Sequence, residues 1–334
     1  MFIFFHSRGE RTAVREPQGT DTFRRLLMMI GPFSAMLPGC ASLTPYEDAI
    51  ANLPQENFLT FRGYKVHVEE CGHGPPLLLL HGFAASTYSF HKLVPLLAEH
   101  FRVVAMDYYG FGYTERPKTT EEFGINAQLE LIRHVMKAKR MGPATVLGHS
   151  YGGTLALLLA ESDRNLVERL VLISAVSEFG DAPAWLRSPV TRWLGYNASR
   201  LLLSSPKRFL ELQRRAYYQQ EVLTPEVAEA YRARLLIEGL KETYFAFTAG
   251  MTSGASPSLN LTSVELPVLV MGGRHDRIVP MESARRLAAA LPDARLLVLE
   301  QSGHSAPEEE PATVAAAIRD FAGHSNGNRR GQTL

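Results

Sequence analysis

The sequence contains few of the residues and patterns that mark metal, redox or phosphate chemistry. Its 334 residues include two cysteines, Cys40 and Cys71, so at most one disulfide can form within the chain. There is no C-x-x-C pair, no H-E-x-x-H motif and no glycine-rich phosphate loop followed by lysine. We therefore expect neither a metal ion nor a cofactor.

The sequence also has no excess of charge of either sign. Lys and Arg together number 35, Asp and Glu number 34, and the formal net charge is +1. A strong attraction to nucleic acid requires a basic excess, so we expect no nucleic-acid partner. Apolar residues make up 46% of the chain, which is enough for a large core in one globular unit with an elaboration.

The N-terminal apolar stretch is too short for a membrane span, which needs about 20 residues. Arg24 and Arg25 precede an apolar run over residues 26–37, and this order is typical of an export signal. The following Leu-Pro-Gly-Cys resembles a bacterial lipobox, which would make Cys40 the lipidated first residue of the mature protein. We expect an exported protein, either anchored to a membrane through Cys40 or periplasmic or secreted. An uncleaved anchor and an ordinary buried N-terminus are the alternatives.

Apolar runs alternate with helical patterns along most of the chain. Residues 58–61 and 64–68 form a hairpin-like pair, and residues 88–98 and 126–141 suit helices. Short apolar runs, typical of strands buried on both faces, occupy residues 77–80, 103–106, 144–147, 170–175, 267–271 and 295–299. This order predicts an α/β fold with a mostly parallel sheet covered by helices on both faces.

The alternation stops between residues 177 and 260, where only helical patterns are present. We expect a helical cap inserted between two parts of the core, at residues 58–176 and 261–322. A signal segment (1–40), a polar linker (41–57) and a polar tail (323–334) complete the organisation. Aromatic residues concentrate in the cap and line a pocket or form the cap's own core: Trp185, Trp193, Tyr196, Tyr217, Tyr218, Tyr231, Tyr244, Phe245 and Phe247.

The motif GHSYGG places one serine, Ser150, between glycines at a strand-to-helix junction. A serine on such a tight turn needs small neighbours because strand and helix approach closely there, and Gly148 and Gly152 provide the space. The turn lifts the hydroxyl above the end of the sheet, beside the N–H groups that begin the helix. The motif therefore predicts a nucleophilic serine.

A serine hydroxyl needs a base, and the base needs a carboxylate that orients it. Asp276 and His304 follow two later apolar runs in that order. Together with Ser150 they give the order nucleophile, acid, histidine, and the chain resembles the α/β-hydrolase superfamily over residues 58–321.

The resemblance implies a Ser150–Asp276–His304 catalytic triad and an oxyanion hole. His81-Gly82-Phe83 resembles the H-G-x loop of the family, so the backbone N–H groups of Phe83 and Tyr151 would stabilise the oxyanion. The segment from Asp107 to Thr114 resembles the D-x-x-G-x-G-x-S motif of the family, with threonine in place of the usual serine. The insertion at residues 177–260 matches the position of the family's cap.

Other residues offer alternative roles. His149 adjoins the nucleophile and is expected to support the site rather than to act as the base, because neighbouring side chains on an elbow point apart. His81 and His275 are expected to hydrogen-bond loops. Asp181 is the alternative acid. The run of Glu308, Glu309 and Glu310 before Pro311 predicts a solvated helix start.

A serine nucleophile disfavours dehalogenase and epoxide hydrolase chemistry, which the family performs with aspartate. We expect a carboxylesterase- or lipase-like hydrolase of the EC 3.1 class, acting on a small or medium apolar ester through an acyl-enzyme. One alternative is a C–C bond hydrolase of aromatic ring-cleavage products. Another is a ligand-binding protein that keeps the fold without catalysis. The sequence leaves the oligomeric state open.

Overall fold

The computed structural model describes residues 41–177, 188–252 and 259–323. The expectations for Cys40, Asp181, Trp185 and the polar tail lie outside these residues, apart from residue 323. No helix within the described ranges is both long enough and apolar enough to cross a membrane.

The strands of the described residues form one eight-stranded sheet. They are β1 (Phe58–Phe61), β2 (Tyr64–Cys71), β3 (Pro76–Leu80), β4 (Arg102–Met106), β5 (Ala144–His149), β6 (Val167–Ile173), β7 (Val268–Gly273) and β8 (Ala294–Leu299). Their order is β1-β2-β4-β3-β5-β6-β7-β8, with antiparallel pairing for β1-β2 and β2-β4 and parallel pairing elsewhere. The predicted mostly parallel sheet is confirmed.

Helices cover both faces of the sheet. The helices of the described residues are α1 (Tyr46–Ile50), α2 (Val94–Ala98), α3 (Ile125–Ala138), α4 (Tyr151–Ser162), α5 (Pro189–Leu203), α6 (Pro206–Gln213), α7 (Pro225–Leu235), α8 (Leu240–Thr252), α9 (Met281–Ala290), α10 (Ala306–Glu309) and α11 (Pro311–Gly323). Alternate side chains of the buried strands enter two separate apolar clusters. One cluster packs against α3, α4 and α9, and the other packs against α2 and α11.

The helix expected over residues 88–98 is interrupted. A 3₁₀ turn covers Thr87–Phe90, and α2 begins only at Val94. Pro95 lies in the first turn of α2, where its missing N–H costs no hydrogen bond. A single helix from residue 88 would place this proline in the helix interior, so the segment forms two elements.

The helices α5 to α8 lie between β6 and β7 and form the cap. Thr224 caps the N-terminus of α7, as its side chain accepts a hydrogen bond from the Val227 N–H. The cap has its own apolar cluster, which includes Tyr217 and Tyr231. In contrast, Trp193 and Tyr218 are exposed. The aromatic residues of the cap therefore divide between its core and its surface.

The segment expected to be a polar linker, residues 41–57, packs onto the protein. It contains α1, whose Tyr46 and Ile50 are buried in a cluster with Ile237 from the cap. Thr44 also forms a parallel bridge with Ile237. The expectation failed because the few apolar side chains of this segment are buried by a residue far away in the sequence.

Candidate active site

Ser150 lies at the sharp turn between β5 and α4. Its φ of 53° and ψ of −117° are an unusual conformation for a residue with a side chain. Such a conformation costs about 1–3 kcal/mol and persists only where the surroundings enforce it. The backbone of Ser150 donates to the Ile173 carbonyl and accepts from the N–H groups of Gly153 and Val176, which fixes the turn.

The glycines of the motif are required by close backbone contacts. A Cβ on Gly148 would overlap the carbonyl of Gly152, and a Cβ on Gly152 would overlap the carbonyl of Leu80. The helix can therefore approach β5 and β3 only because both positions lack a side chain. This is the arrangement that the motif predicted for Ser150.

His304 and Asp276 are hydrogen-bonded to each other. His304 follows β8, and its Nδ1 lies 2.8 Å from Oδ2 of Asp276, which follows β7. The other oxygen, Oδ1, accepts from the N–H groups of Ile278 and Val279 at 2.8 and 2.9 Å. All three contacts to the Asp276 carboxylate are therefore within hydrogen-bonding distance, and both of its oxygens are held in place.

These contacts keep Asp276 ionised. Burial of this side chain alone would raise its pKa, but the charge and hydrogen bond of His304 and the two backbone donors lower the pKa below its ordinary value. An ionised carboxylate at this place accepts the Nδ1 proton of His304. The Nε2 atom of His304 is then the one that can accept a proton from a nucleophile.

The loop after β3 lies against the nucleophile. A Cβ on Gly82 would come within 3.2 Å of the Cβ of Ser150. Phe83 directly follows Gly82, the residue that lies against the elbow. Tyr151 is the first residue of α4, where backbone N–H groups have no acceptor inside the helix. The two residues expected to form the oxyanion hole thus each adjoin this contact: Phe83 follows Gly82, and Tyr151 follows Ser150.

His149 links the elbow to the His304 loop. Its Nε2 donates to the backbone carbonyl of His304 at 2.9 Å, and the two imidazole rings are 4.9 Å apart between centroids. Burial is the main cause that lowers the pKa of His149 to about 3, so this ring is neutral at physiological pH. His149 holds the loop of His304 in place and does not compete with it as a base.

His81 and His275, the other two histidines singled out in the sequence, also contact loops. His81 is buried, and its Nδ1 lies 2.7 Å from the Gly82 carbonyl oxygen, to which it donates. His275 stacks on Tyr218, with ring centroids 3.7 Å apart. His81 thus fixes the loop that carries Phe83.

The segment from Asp107 to Thr114 holds the chain at the end of the loop that carries Phe83. Asp107 is buried and accepts from the N–H groups of Thr87 and Tyr113 and from Nδ1 of His67. The Thr114 hydroxyl donates to the Asp107 carbonyl at 2.7 Å. A hydroxyl is all that this contact requires, so threonine replaces serine here without loss.

The expectation of a solvated acidic run is wrong for Glu308 and Glu309, which are 2% and 6% exposed. Glu308 accepts hydrogen bonds from the hydroxyls of Tyr217 and Tyr231. Glu309 accepts from three backbone N–H groups, those of Tyr218, Gln219 and Gly303. Both carboxyls therefore tie the cap to the His304 loop.

Sequence reasoning missed this connection because the tyrosines precede the acids by 77 to 91 residues. The available signal was position: the acidic run begins four residues after His304, on the loop that must carry the base. The loop is also held directly, since the N–H groups of His304 and Ser305 donate to the Ala216 carbonyl.

Aromatic side chains lie beside the nucleophile. Phe83 packs against Phe111 and Phe247 with ring centroids 5.3 Å apart in each pair. Phe247 comes from α8 of the cap and also contacts Tyr151 at 6.0 Å. These four side chains form an uncharged aromatic group that joins the loop of Phe83 to the cap.

A family model described as alpha/beta hydrolase fold matches residues 75–311. The chain belongs to this family. The elbow at Ser150, the His304–Asp276 pair and the cap helices α5 to α8 all lie within residues 75–311.

Two curated relatives and one solved structure illustrate the similarity. A 2-hydroxymuconate semialdehyde hydrolase of Pseudomonas putida is 30% identical over 274 residues, covering 78% of this chain and 91% of the relative. The hydrolase YugF of Bacillus subtilis, named as uncharacterized, is 27% identical over 267 residues, covering 77% and 93%. A meta-cleavage product hydrolase from Pseudomonas fluorescens IP01 aligns with a TM-score of 0.66 at 23% identity, covering 79% and 96%. The last similarity shows the fold alone.

This hydrolase has no evident metal site within the ranges 41–177, 188–252 and 259–323. Their His, Cys, Asp and Glu side chains form no group of three or more that could hold a metal ion.

Proposed function

We propose that this hydrolase cleaves a small or medium apolar carboxylic ester through an acyl-enzyme on Ser150. The observation that carries the proposal is the uncharged aromatic group of Phe83, Phe111, Tyr151 and Phe247 next to the elbow. A substrate that contacts these rings buries apolar surface, and none of the four side chains offers a charge to an ionic substrate.

The Asp276–His304 hydrogen bond and the turn at Ser150 support the following roles. Ser150 attacks the ester carbonyl while His304 accepts its proton, and Asp276 stabilises the resulting imidazolium. The N–H groups of Phe83 and Tyr151 donate to the oxyanion. His304 then returns the proton to the leaving alcohol, and a water activated by His304 releases the acid and restores Ser150.

A second candidate is hydrolysis of a C–C bond in a ring-cleavage product. The similarity to the Pseudomonas putida enzyme, whose name gives 2-hydroxymuconate semialdehyde as its substrate, favours this activity. A muconate derivative carries a carboxylate, which binds most strongly to cationic donors such as Arg or Lys. The aromatic group beside Ser150 contains no cation, and its one side-chain donor is the neutral Tyr151 hydroxyl, so we place the ester first.

The first experiment is labelling with a fluorophosphonate probe, comparing the native chain with Ser150→Ala and His304→Ala. We expect strong labelling of the native chain and none of Ser150→Ala, because only an activated serine hydroxyl reacts with the probe. Labelling of His304→Ala should fall by at least about 10³, as expected for loss of the base. A well-folded native chain that is not labelled would favour the non-catalytic ligand-binding alternative.

The second experiment separates the two activities. p-Nitrophenyl esters of increasing acyl length are compared with a ring-cleavage product bearing a vinylogous 1,5-diketone, using Ser150→Ala as the blank for both. We expect a higher kcat/KM for a short or medium acyl ester. A higher kcat/KM for the ring-cleavage product would replace the ester proposal with the second candidate.

A further inference from the structure

One face of α5 exposes large apolar side chains to solvent. Val190, Trp193, Leu194 and Leu201 are 39–46% exposed. Their spacing along the helix places all four within a stripe about 100° wide, since successive residues turn by about 100°. Among the described residues, two other large hydrophobic side chains, Phe83 and Tyr218, are comparably exposed. The apolar surface is thus concentrated on this one helix.

The N-terminal part of the chain reaches the protein at the end of the same helix. The Ala41 N–H lies 2.5 Å from the Ser204 hydroxyl oxygen, and the Arg200 guanidinium donates to the Ala41 carbonyl. Leu201 of the apolar stripe lies between these two anchoring residues in the sequence. The residues before Ala41 contain the apolar run 26–37 and Cys40. The sequence element expected to enter a membrane therefore begins where the stripe ends.

Basic side chains accompany the stripe. From Pro189 to Ala216 the chain carries six basic residues and a single acidic one, Glu211, although the whole chain has a net charge of only +1. Lys207, Arg208, Arg214 and Arg215 are exposed. Each exposed cation near a membrane with anionic lipid strengthens binding to it. An apolar stripe followed closely in the sequence by exposed cations resembles the pattern of a helix that lies in a lipid–water interface.

We propose that the stripe of α5 and the basic residues after it form a docking surface for an anionic phospholipid bilayer. The surface acts together with the membrane attachment expected just before Ala41, through lipidated Cys40 or an uncleaved apolar run. Stable membrane attachment usually requires two such signals, because one alone gives marginal, reversible binding. The cap therefore rests on the lipid and the sheet points away from it.

This orientation has a consequence for the substrate. Tyr196 of α5 packs against Tyr244 and Phe245 of α8. α8 carries Phe247, which contacts Phe83 and Tyr151 at the elbow. In this orientation α5 and α8 lie between the bilayer and the elbow, and apolar esters dissolved in the membrane are close to the side of the protein that carries the site.

Trp193 provides a direct test. The chain has two tryptophans, so Trp185→Phe leaves Trp193 as the only one. The full chain with this substitution is mixed with vesicles of phosphatidylcholine containing about 30% phosphatidylglycerol, with brominated acyl chains in one set. We expect a blue shift of the fluorescence and quenching by the brominated lipid. Vesicle-bound protein whose Trp193 is not quenched would overturn the proposal, since the N-terminal segment alone would then hold it.

Two sets of variants test the affinity by vesicle flotation of the full chain. Trp193→Gln with Leu194→Gln should weaken binding at least about tenfold, corresponding to about 1.4 kcal/mol of lost apolar burial. Lys207→Gln with Arg208→Gln should weaken binding to the anionic vesicles and leave binding to pure phosphatidylcholine unchanged. Ala289→Gln with Ala290→Gln, two exposed positions on α9, is the matched control and should bind like the native chain.

A second copy of the chain is the competing occupant of the stripe. Light scattering of the protein in detergent-free buffer measures this directly. A dimer that Trp193→Gln with Leu194→Gln converts to a monomer, together with unchanged vesicle binding, would overturn the bilayer proposal. Circular dichroism and fluorophosphonate labelling of every variant should match the native chain, which shows that the exposed substitutions leave the fold and the elbow intact.

Discussion

At the scale of single residues, the orientation of His304 depends on contacts to its side chain and to its backbone. Its ring is held by Asp276 at 2.8 Å, and its backbone is held by His149 and by the Ala216 carbonyl. A ring fixed in this way presents Nε2 in one direction, without loss of entropy when the substrate binds. The proposed catalysis therefore depends on the charge of Asp276 as well as on its shape.

Asp276→Asn tests this dependence. The amide keeps the size of the side chain but lacks the negative charge that holds the proton on Nδ1 of His304. The proton then lies on Nε2, which can no longer accept one from Ser150. We expect kcat for the best p-nitrophenyl ester to fall by about 10⁴ with little change in Tm. Asp163→Asn, at a partly exposed carboxylate that pairs with Arg133 at the surface, is the control and should retain activity within twofold.

If Asp276→Asn kept more than a tenth of the native kcat, another acid would orient His304. Asp181 would then become the acid to substitute next, because it is the alternative that the sequence offers.

The sequence was sufficient to predict the sharp turn at Ser150 and the pairing of Asp276 with His304, because most of the signals are local. Gly148 contacts the backbone of Gly152 within the motif itself, although Gly152 contacts the distant carbonyl of Leu80. Asp276 and His304 each closely follow the end of an apolar strand. Glu308 could not be predicted in the same way. Its environment is created by tyrosines of the cap, and an acidic run before a proline has the same sequence whether it is buried or solvated.

At the scale of elements, α10 joins the cap to the core through buried carboxyls. Burial is the main cause that raises the pKa of Glu308 to about 7, although the two tyrosine hydroxyls and Lys92 act in the opposite direction. Burial also raises the pKa of Glu309, an effect that four backbone N–H donors partly offset. The junction between cap and His304 loop therefore contains a carboxyl that titrates near neutral pH.

The sign of its effect on stability follows from linkage. The pKa of Glu308 in the folded protein, about 7, lies above its ordinary value of 4.5. Its contribution to the free energy of unfolding is therefore complete below about pH 4.5 and is lost as the pH rises through about 7. At higher pH the folded protein must hold a buried carboxylate, which is costly.

Glu308→Gln should remove this pH dependence. The amide oxygen still accepts from Tyr217 and Tyr231, and any cost of placing its NH₂ group is the same at every pH. We expect the stability of the variant relative to the native chain to increase from pH 5 to pH 8.5 by on the order of 2 kcal/mol, since one pKa unit corresponds to about 1.4 kcal/mol. Chemical denaturation at both pH values measures the difference.

Glu282→Gln is the control for this comparison, because Glu282 is an exposed residue in the first turn of α9. Its stability relative to the native chain should not change with pH. Parallel pH profiles for Glu308→Gln and the native chain would mean that Glu308 keeps an ordinary pKa in the folded protein.

The elements themselves were predictable to different degrees. The buried strands were predictable because a run of four or five consecutive apolar residues is typical of a strand covered on both faces by helices. The segment 41–57 resembled a linker because α1 is only five residues long and has no amphipathic repeat of its own. Its order arises from contacts with Ile237 and from backbone bonds between Thr44 and the cap, which no local pattern indicates.

At the scale of the whole molecule, the predicted triad and the proposed lipid surface lie on different parts of one chain. Ser150, Asp276 and His304 follow strands of the sheet, whereas α5 and the segment at Ala41 belong to the outside of the cap. The net charge of the whole chain, +1, does not reveal this division, because acidic residues elsewhere balance the basic residues from Pro189 to Ala216. Hydrolysis and membrane attachment should therefore be separable.

A chain that begins at Ala41 separates them. It retains every described contact of the triad, and its N-terminal amine can still donate to Ser204. We expect its kcat/KM for a water-soluble ester such as p-nitrophenyl butyrate to equal that of the full chain within about twofold. Its binding to anionic vesicles should fall at least about tenfold without disappearing, because one of two membrane signals remains.

Combining the truncation with Trp193→Gln and Leu194→Gln completes the comparison. The cap surface is then the only membrane signal left, so these substitutions should remove the residual vesicle binding while hydrolysis of the soluble ester stays unchanged. Residual binding that survives them would place the second signal elsewhere on the molecule. A folded truncated chain without esterase activity, where the full chain is active, would instead show that residues 1–40 contribute to the site itself.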